Sequence, residues 1–171
     1  MYESAPWRTE LLKHALVLEE APYWPMDEVP FDLERSLYYS AVVLRKLIED
    51  GKLTDKFCAQ SLSLTTHKSL APDSSSIWRN MPGSVDFEWE KEQKKDVPIK
   101  EVCNQIVHFF GRYWWSAEEM GPISAVVVCS YRHQDTQGYR IPLEDWAIVL
   151  RHAAENWPSR ITFGPDGITS E

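Results

Sequence analysis

The run from Ile123 to Tyr131 constrains this chain more than any other stretch. It is nearly continuously apolar and rich in β-branched residues, which makes it a central strand. His133-Gln134-Asp135-Thr136-Gln137-Gly138 follows as a hairpin loop, and Tyr139 to Ile141 as a short return strand. The period then changes. Leu143, Trp146, Ala147, Leu150, Ala153, Ala154 and Trp157 fall on one face of a helix from about Leu143 to Asn156. Glu144 and Asp145 in its first turn, and Arg151 and His152 in its last, suit the helix dipole. An apolar strand next to a one-sided helix calls for layers, with helices packed on a sheet.

The rest of the chain extends that plan. Ser4 or Ala5 opens a helix with Pro6 at its first position, and Trp7, Leu11, Ala15 and Leu18 repeat along it. Asp32 is read as the N-cap of a second helix with the stripe Leu33, Leu37, Ala41, Leu44, Leu47 and Ile48, stopped by Gly51. Thr54 caps a shorter helix through about Leu62. Residues 65–84 read as an irregular, mobile loop containing Asp73-Ser74-Ser75-Ser76 and Met81-Pro82-Gly83-Ser84. Val85, Phe87 and Trp89 alternate with acidic residues as a half-buried strand, and the mixed charges from Glu90 to Asp96 read as a solvated turn. Pro98 begins a further helix that Gly111 can stop, and Arg112 to Trp115 starts another strand. Strands close in sequence and joined by short loops favour antiparallel pairing. The expected fold is α+β, with helices packed on a small, mostly antiparallel sheet, as one domain over residues 1–171 and with a loosely held tail after Pro158.

Composition limits the functions. A chain of 171 residues buries enough surface to fold without a staple. Its net charge of −8 makes it a poor nonspecific nucleic-acid binder, because such binding depends on Lys and Arg neutralising phosphates. Cys58, Cys103 and Cys129 form no CxxC pair, an odd count that fits neither a disulfide framework nor a common zinc motif. A reducing, cytoplasmic setting follows as the expectation. The start, Met1-Tyr2-Glu3-Ser4, lacks the features of a signal peptide, and no apolar run approaches the ~20 residues that span a membrane. The seven glycines form no phosphate-binding loop, and no metal or cofactor is expected. Eight tryptophans are read mainly as core volume, with Trp78 set apart by its polar loop.

One helix carries the best candidate site. Asn104 and His108 stand four residues apart and so share a face. That face also holds Glu101 and Gln105 and lies opposite the apolar stripe of Val102, Cys103, Ile106, Val107 and Phe110. Arg35 and Arg45, on the polar face of the second helix, are the nearest candidate cations. His133 and Asp135 share a hairpin loop, but turn formation explains the aspartate, and no third metal ligand presents itself. A Cys103–His108 nucleophilic dyad is disfavoured, since the two lie on different faces of the helix.

The segment Cys103-Asn104-Gln105-Ile106-Val107-His108 is similar to the helix motif of HEPN domains. These are small helical domains, often dimeric, found in ribonuclease toxins, defence systems and nucleotidyltransferase partners. In that motif an arginine is followed by a polar residue such as Asn, three further residues and His. Asn104 and His108 match, and Cys103 stands where the arginine belongs. The resemblance implies metal-independent RNA cleavage with His108 as general base and Asn104 as a positioning group. A thiol cannot replace the guanidinium that steadies phosphate charge, so Arg35 or Arg45 would have to supply it. The same residues resemble a Cys-Asn-Gln-Ile-Ile-His-like helix between two strands in a family of uncharacterised bacterial proteins, a likeness that names no activity.

The favoured expectation is a cytosolic, non-enzymatic binding or interaction protein with a protein partner. Its surface would comprise the Asn104/His108 face and Trp78. The alternatives are a HEPN-like ribonuclease acting on RNA, and a structural accessory subunit whose polar helix face is buried in a homodimer or complex.

Overall fold

The computed structural model describes residues 3–24, 29–70, 85–118, 121–165 and 167–171. Five of its strands are β1 (Ser61–Leu70), β2 (Asp86–Pro98), β3 (Phe109–Trp115), β4 (Ala125–Ser130) and β5 (Gln137–Pro142). They form one sheet in the order β2-β1-β5-β4-β3, and every neighbouring pair is antiparallel. The fold is therefore α+β on an antiparallel sheet. β4 lies between β3 and β5, and all six of its residues are buried. Side chains alternate across a strand, so Val126 and Val128 enter one core while Val127 and Cys129 enter the other.

The larger core lies between the sheet and the helices α1 (Ala5–Glu19), α2 (Phe31–Glu49), α4 (Ile99–Val107) and α5 (Leu143–Glu155). The short α3 (Asp55–Cys58) adds Phe57 to it. Leu33, Leu37, Ala41, Leu44 and Leu47 of α2 and Leu143, Trp146, Ala147, Leu150 and Ala153 of α5 are buried in this core, with α1 packed against both helices. Trp146 is fully buried, and its indole N–H donates to Ser40 Oγ at 3.1 Å. Gly51 stops α2 at φ +61°, where a Cβ would be strained. α4 takes the chain from β2 to β3, the two edges of the sheet, a span of about 19 Å at the usual strand spacing.

The other face of the sheet holds a smaller aromatic core. Val85, Phe87, Phe110, Val127 and Cys129 are buried there beneath the half-buried Trp89, Tyr113 and Trp115. His67 is fully buried with its ring 5.2 Å from Trp89 and 5.8 Å from Trp115, and neither ring nitrogen has a hydrogen bond. Gly138 lies beneath Phe87, and a Cβ there would come within 2.6 Å of that ring.

Several expectations need correction. The irregular segment was expected from residue 65, but Ser61–Leu70 is strand β1, so the shorter helix ends at Cys58. The rest of that loop, residues 71–84 with Trp78, lies outside the described residues. The charged run Glu90–Asp96 is no turn. It continues β2, exposed along an edge strand that main-chain bonds to β1 hold and that lysines protect from further pairing. α2 starts at Phe31 with Pro30 as N-cap, and Asp32 sits in the first turn paired with Arg35. The residues after Pro158 form a hairpin, β6 (Ile161–Gly164) with β7 (Gly167–Ser170). Ser170 pins it by donating from its N–H to Asp55 and from its hydroxyl to Gly51 O, each at 3.1 Å. Among the described tryptophans only Trp146 is fully buried, and Trp7, Trp24 and Trp157 are exposed.

Arg8 takes the core-facing place expected of Trp7. Its guanidinium donates to Ala153 O at 2.7 Å, Asn156 O at 2.6 Å and Lys52 O, and it stacks 4.0 Å from the Trp157 ring centre. A cation at the end of α5 satisfies carbonyls that have no partner within the helix.

Candidate functional site

α4 ends one residue before His108. His108 is its C-cap, at φ −110° and ψ 28°, and β3 begins at Phe109 rather than Arg112. The expected continuation to Phe110 fails because Phe109 pairs with Ser130 of β4. The His108 N–H still donates to Asn104 O at 3.0 Å, so Asn104 and His108 remain neighbours on one side. Their surroundings differ from expectation. This side does not simply oppose the core, since Gln105 is buried. It faces a cleft of about 420 Å³ whose walls are α2, α4 and the turn between β4 and β5.

Arg45, Glu101, Asn104, Gln105, His108, Ser130, Tyr131, Arg132 and His133 line this cleft. Arg45 reaches it from α2, with Nη1 2.9 Å from His108 Nε2 and Nε donating to Glu49 at 2.9 Å. Arg35 does not reach it. That residue lies ten positions, about 15 Å, earlier on the helix, bridged to Asp32 at 2.8 Å. Ser130 closes β4, and the next residues turn tightly, with His133 N–H donating to Ser130 O at 2.9 Å. This turn places His133 against α4. The sequence paired His133 with Asp135, but Asp135 is exposed and does not line the cleft.

One side chain organises the floor. Gln105 Oε1 accepts from the buried Ser130 N–H at 2.8 Å, which fixes the orientation of the amide. Its NH₂ then donates to Glu101 at 2.6 Å and to His133 Nδ1 at 2.9 Å. Glu101 also accepts from Asn104 Nδ2 at 3.1 Å. An amide nitrogen only donates, so Nδ1 of His133 is its lone-pair nitrogen and the proton of the neutral ring is on Nε2. Ser130 Oγ lies 3.0 Å from the same Nδ1. A guanidinium also only donates. Nε2 of His108 is therefore its lone-pair nitrogen, and the proton of that neutral ring is on Nδ1.

The neighbouring groups have defined charge states. The hydrogen bond from Arg45 holds the Glu49 carboxyl below the usual carboxylate range. Cys103 is fully buried, and desolvation pushes its thiol far above the ordinary range, which removes it as a nucleophile or a thiolate ligand. Among the described residues no three His, Cys, Asp or Glu side chains gather closely enough to hold a metal ion. No helix among them is long and apolar enough to cross a membrane.

Glu101, Asn104 and Gln105 of α4, His108 at its C-cap and Arg45 of α2 thus come together. Ser130, Tyr131 and Arg132 join them without having been predicted, and His133, considered in the sequence only together with Asp135, joins them without it. Their one sequence signal was a histidine just past the most apolar strand. Comparison with known protein families, curated proteins and solved structures gives no match. The functional reading is carried by the geometry of the cleft.

Proposed function

We propose that the protein is a non-catalytic binding protein and that the cleft between α2, α4 and the β4–β5 turn recognises its protein partner. The observation that carries this reading is the state of the two imidazoles. Arg45 covers the lone pair of His108, and Gln105 covers that of His133. Proton abstraction needs a lone pair within reach of the substrate, whereas these rings are set to donate. The buried Gln105–Ser130 bond makes the floor rigid, which favours recognition because little side-chain freedom is lost on binding. All three cysteines are free, which supports a reducing compartment such as the cytosol.

The test is capture of a partner by tagged full-length protein from a lysate of its source. The double variant Arg45→Ala/His108→Ala should lose that partner, and its melting temperature should stay close to that of the parent. Undiminished capture by a folded double variant would refute the reading.

One observation favours a second reading, a metal-independent ribonuclease. Arg45 stands beside His108 and supplies the cation missing at Cys103, while His133 adds a second imidazole to the cleft. Arg45 would have to release Nε2 as RNA entered, and the scissile phosphate would take its place. This reading predicts RNA cleavage in the presence of a chelator, abolished by His108→Ala. Equal cleavage by parent and variant would exclude it.

A further inference from the structure

The hydrogen bonds of the cleft determine which atoms remain for a ligand, and most of those atoms are donors. His108 keeps Nδ1–H and His133 keeps Nε2–H, as their tautomers require. Asn104 has one amide hydrogen beyond the one given to Glu101. Arg45 uses Nε for Glu49 and Nη1 for His108, which leaves further N–H groups. Arg132 forms no ion pair among the described residues, although Arg35, Arg45, Arg112, Arg140 and Arg151 each pair with a carboxylate. Two of the side-chain acceptors are already engaged, and the Asn104 amide oxygen is not, among the described residues. Glu101 accepts through both oxygens, and Gln105 Oε1 is taken by Ser130.

We infer that the cleft binds a phosphoryl group, held by Arg132, Arg45, Asn104 and the two histidines. This rests on the reading of the cleft as a binding site. The donors come from three elements, α2, α4 and the β4–β5 turn, so they converge from several directions. A planar carboxylate offers two oxygens in one plane. A phosphate monoester offers three terminal oxygens spread around a tetrahedron, together with the geometry that arginine forks recognise. Arg45 is shared with Glu49 and Glu101 is occupied by two amides, which leaves Arg132 as the cation without an ion pair among the described residues. With a net charge of −8 the chain as a whole does not attract anions, so affinity must come from short-range, directed donors. A cleft of about 420 Å³ falls within the roughly 300–1,000 Å³ of small-ligand sites and leaves room for the group that carries the phosphate.

Calorimetric titration of the full chain tests this with inorganic phosphate, O-phosphoserine, serine and acetate as probes. Phosphate and phosphoserine should bind, and serine and acetate should not. Tighter binding of phosphoserine assigns the group to an ester, and equal affinity assigns it to free phosphate. Arg132→Gln changes an exposed turn residue and should weaken both at least tenfold. Lys91→Gln removes the same charge from β2, outside the cleft, and should change nothing. Absence of phosphate and phosphoserine binding, no loss in Arg132→Gln, or an equal loss in Lys91→Gln would each overturn the inference. Partner capture that still depends on Arg45 and His108 would then leave the binding reading intact.

Discussion

Gln105→Leu tests the organisation of the cleft most severely. Leucine fills nearly the same volume, so no cavity opens and the effect is confined to hydrogen bonds. The buried Ser130 N–H loses its acceptor at 2.8 Å, which costs about 1–3 kcal/mol. Glu101 loses a donor at 2.6 Å, but it is half-exposed and water replaces most of that bond, leaving a cost of about 0.5–1 kcal/mol. His133 Nδ1 retains Ser130 Oγ at 3.0 Å and contributes little. The total is about 2–4 kcal/mol, and near 3 kcal/mol it would lower the melting temperature of a domain this long by roughly 6–12 °C. Gln105→Glu is the companion. It keeps an acceptor for Ser130 but sets a carboxylate oxygen against Glu101 and against the lone pair of His133, so its cost should equal or exceed that of Gln105→Leu. Urea denaturation of both variants at pH 7 is the assay. A cost below about 1 kcal/mol for either variant would overturn this organisation of the cleft.

Arg8→Ala should destabilise the fold by about 3 kcal/mol, because it strands the carbonyls of Ala153 and Asn156 at the end of α5. Denaturant midpoints would show it, and Arg8→Lys should recover only part, since one ammonium cannot match the guanidinium fork. Gly138→Ala forces a methyl group to within 2.6 Å of the Phe87 ring and should cost about 1–3 kcal/mol. The double variant Gly138→Ala/Phe87→Leu should cost less than the sum of the single changes if that clash is the cause. Burial holds His67 and His14 below the ordinary histidine range near 6.5. The unfolded chain takes up these protons first, so stability should fall as pH drops below about 6.5. The paired carboxylates Glu19, Glu49 and Glu88 are lowered from 4.5, so their contribution is lost only as pH falls below that value. The interval from pH 7 to pH 5 therefore isolates the histidines. Denaturation curves of the parent and His67→Phe should diverge in slope there, and parallel slopes would count against the buried neutral ring.

The legible parts of the fold were those with a local period. α2 and α5 show their apolar stripes, and β4 its continuous run, because burial of a whole face demands such patterns. β1 was not legible, because half of Ser61–Leu70 is serine and threonine and the strand is held by neighbours on both sides. The exposed half of β2 was missed for the same reason, as main-chain pairing places no demand on outward side chains. The end of α4 carries no glycine or proline, and β-pairing of Phe109 with Ser130 ends the helix. In the cleft, Glu101, Asn104, Gln105 and His108 were readable together because one helix presents them. Both arginines of the polar face of α2 were candidates, and only helix packing separates Arg45 from Arg35. Ser130, Arg132 and His133 could not be found from spacing, since 22 or more positions separate them from His108 and only the packing of α4 on β4 joins them.

The cleft presents mainly donors because its two imidazoles are locked in opposite tautomers. Long-range ¹H–¹⁵N spectra of the histidine rings at pH 8 measure this directly, with His108→Gln and His133→Gln providing the assignments. The proton is expected on Nδ1 of His108 and on Nε2 of His133. An Nε2–H tautomer at His108, an Nδ1–H tautomer at His133, or averaged signals from freely exchanging rings would contradict this assignment.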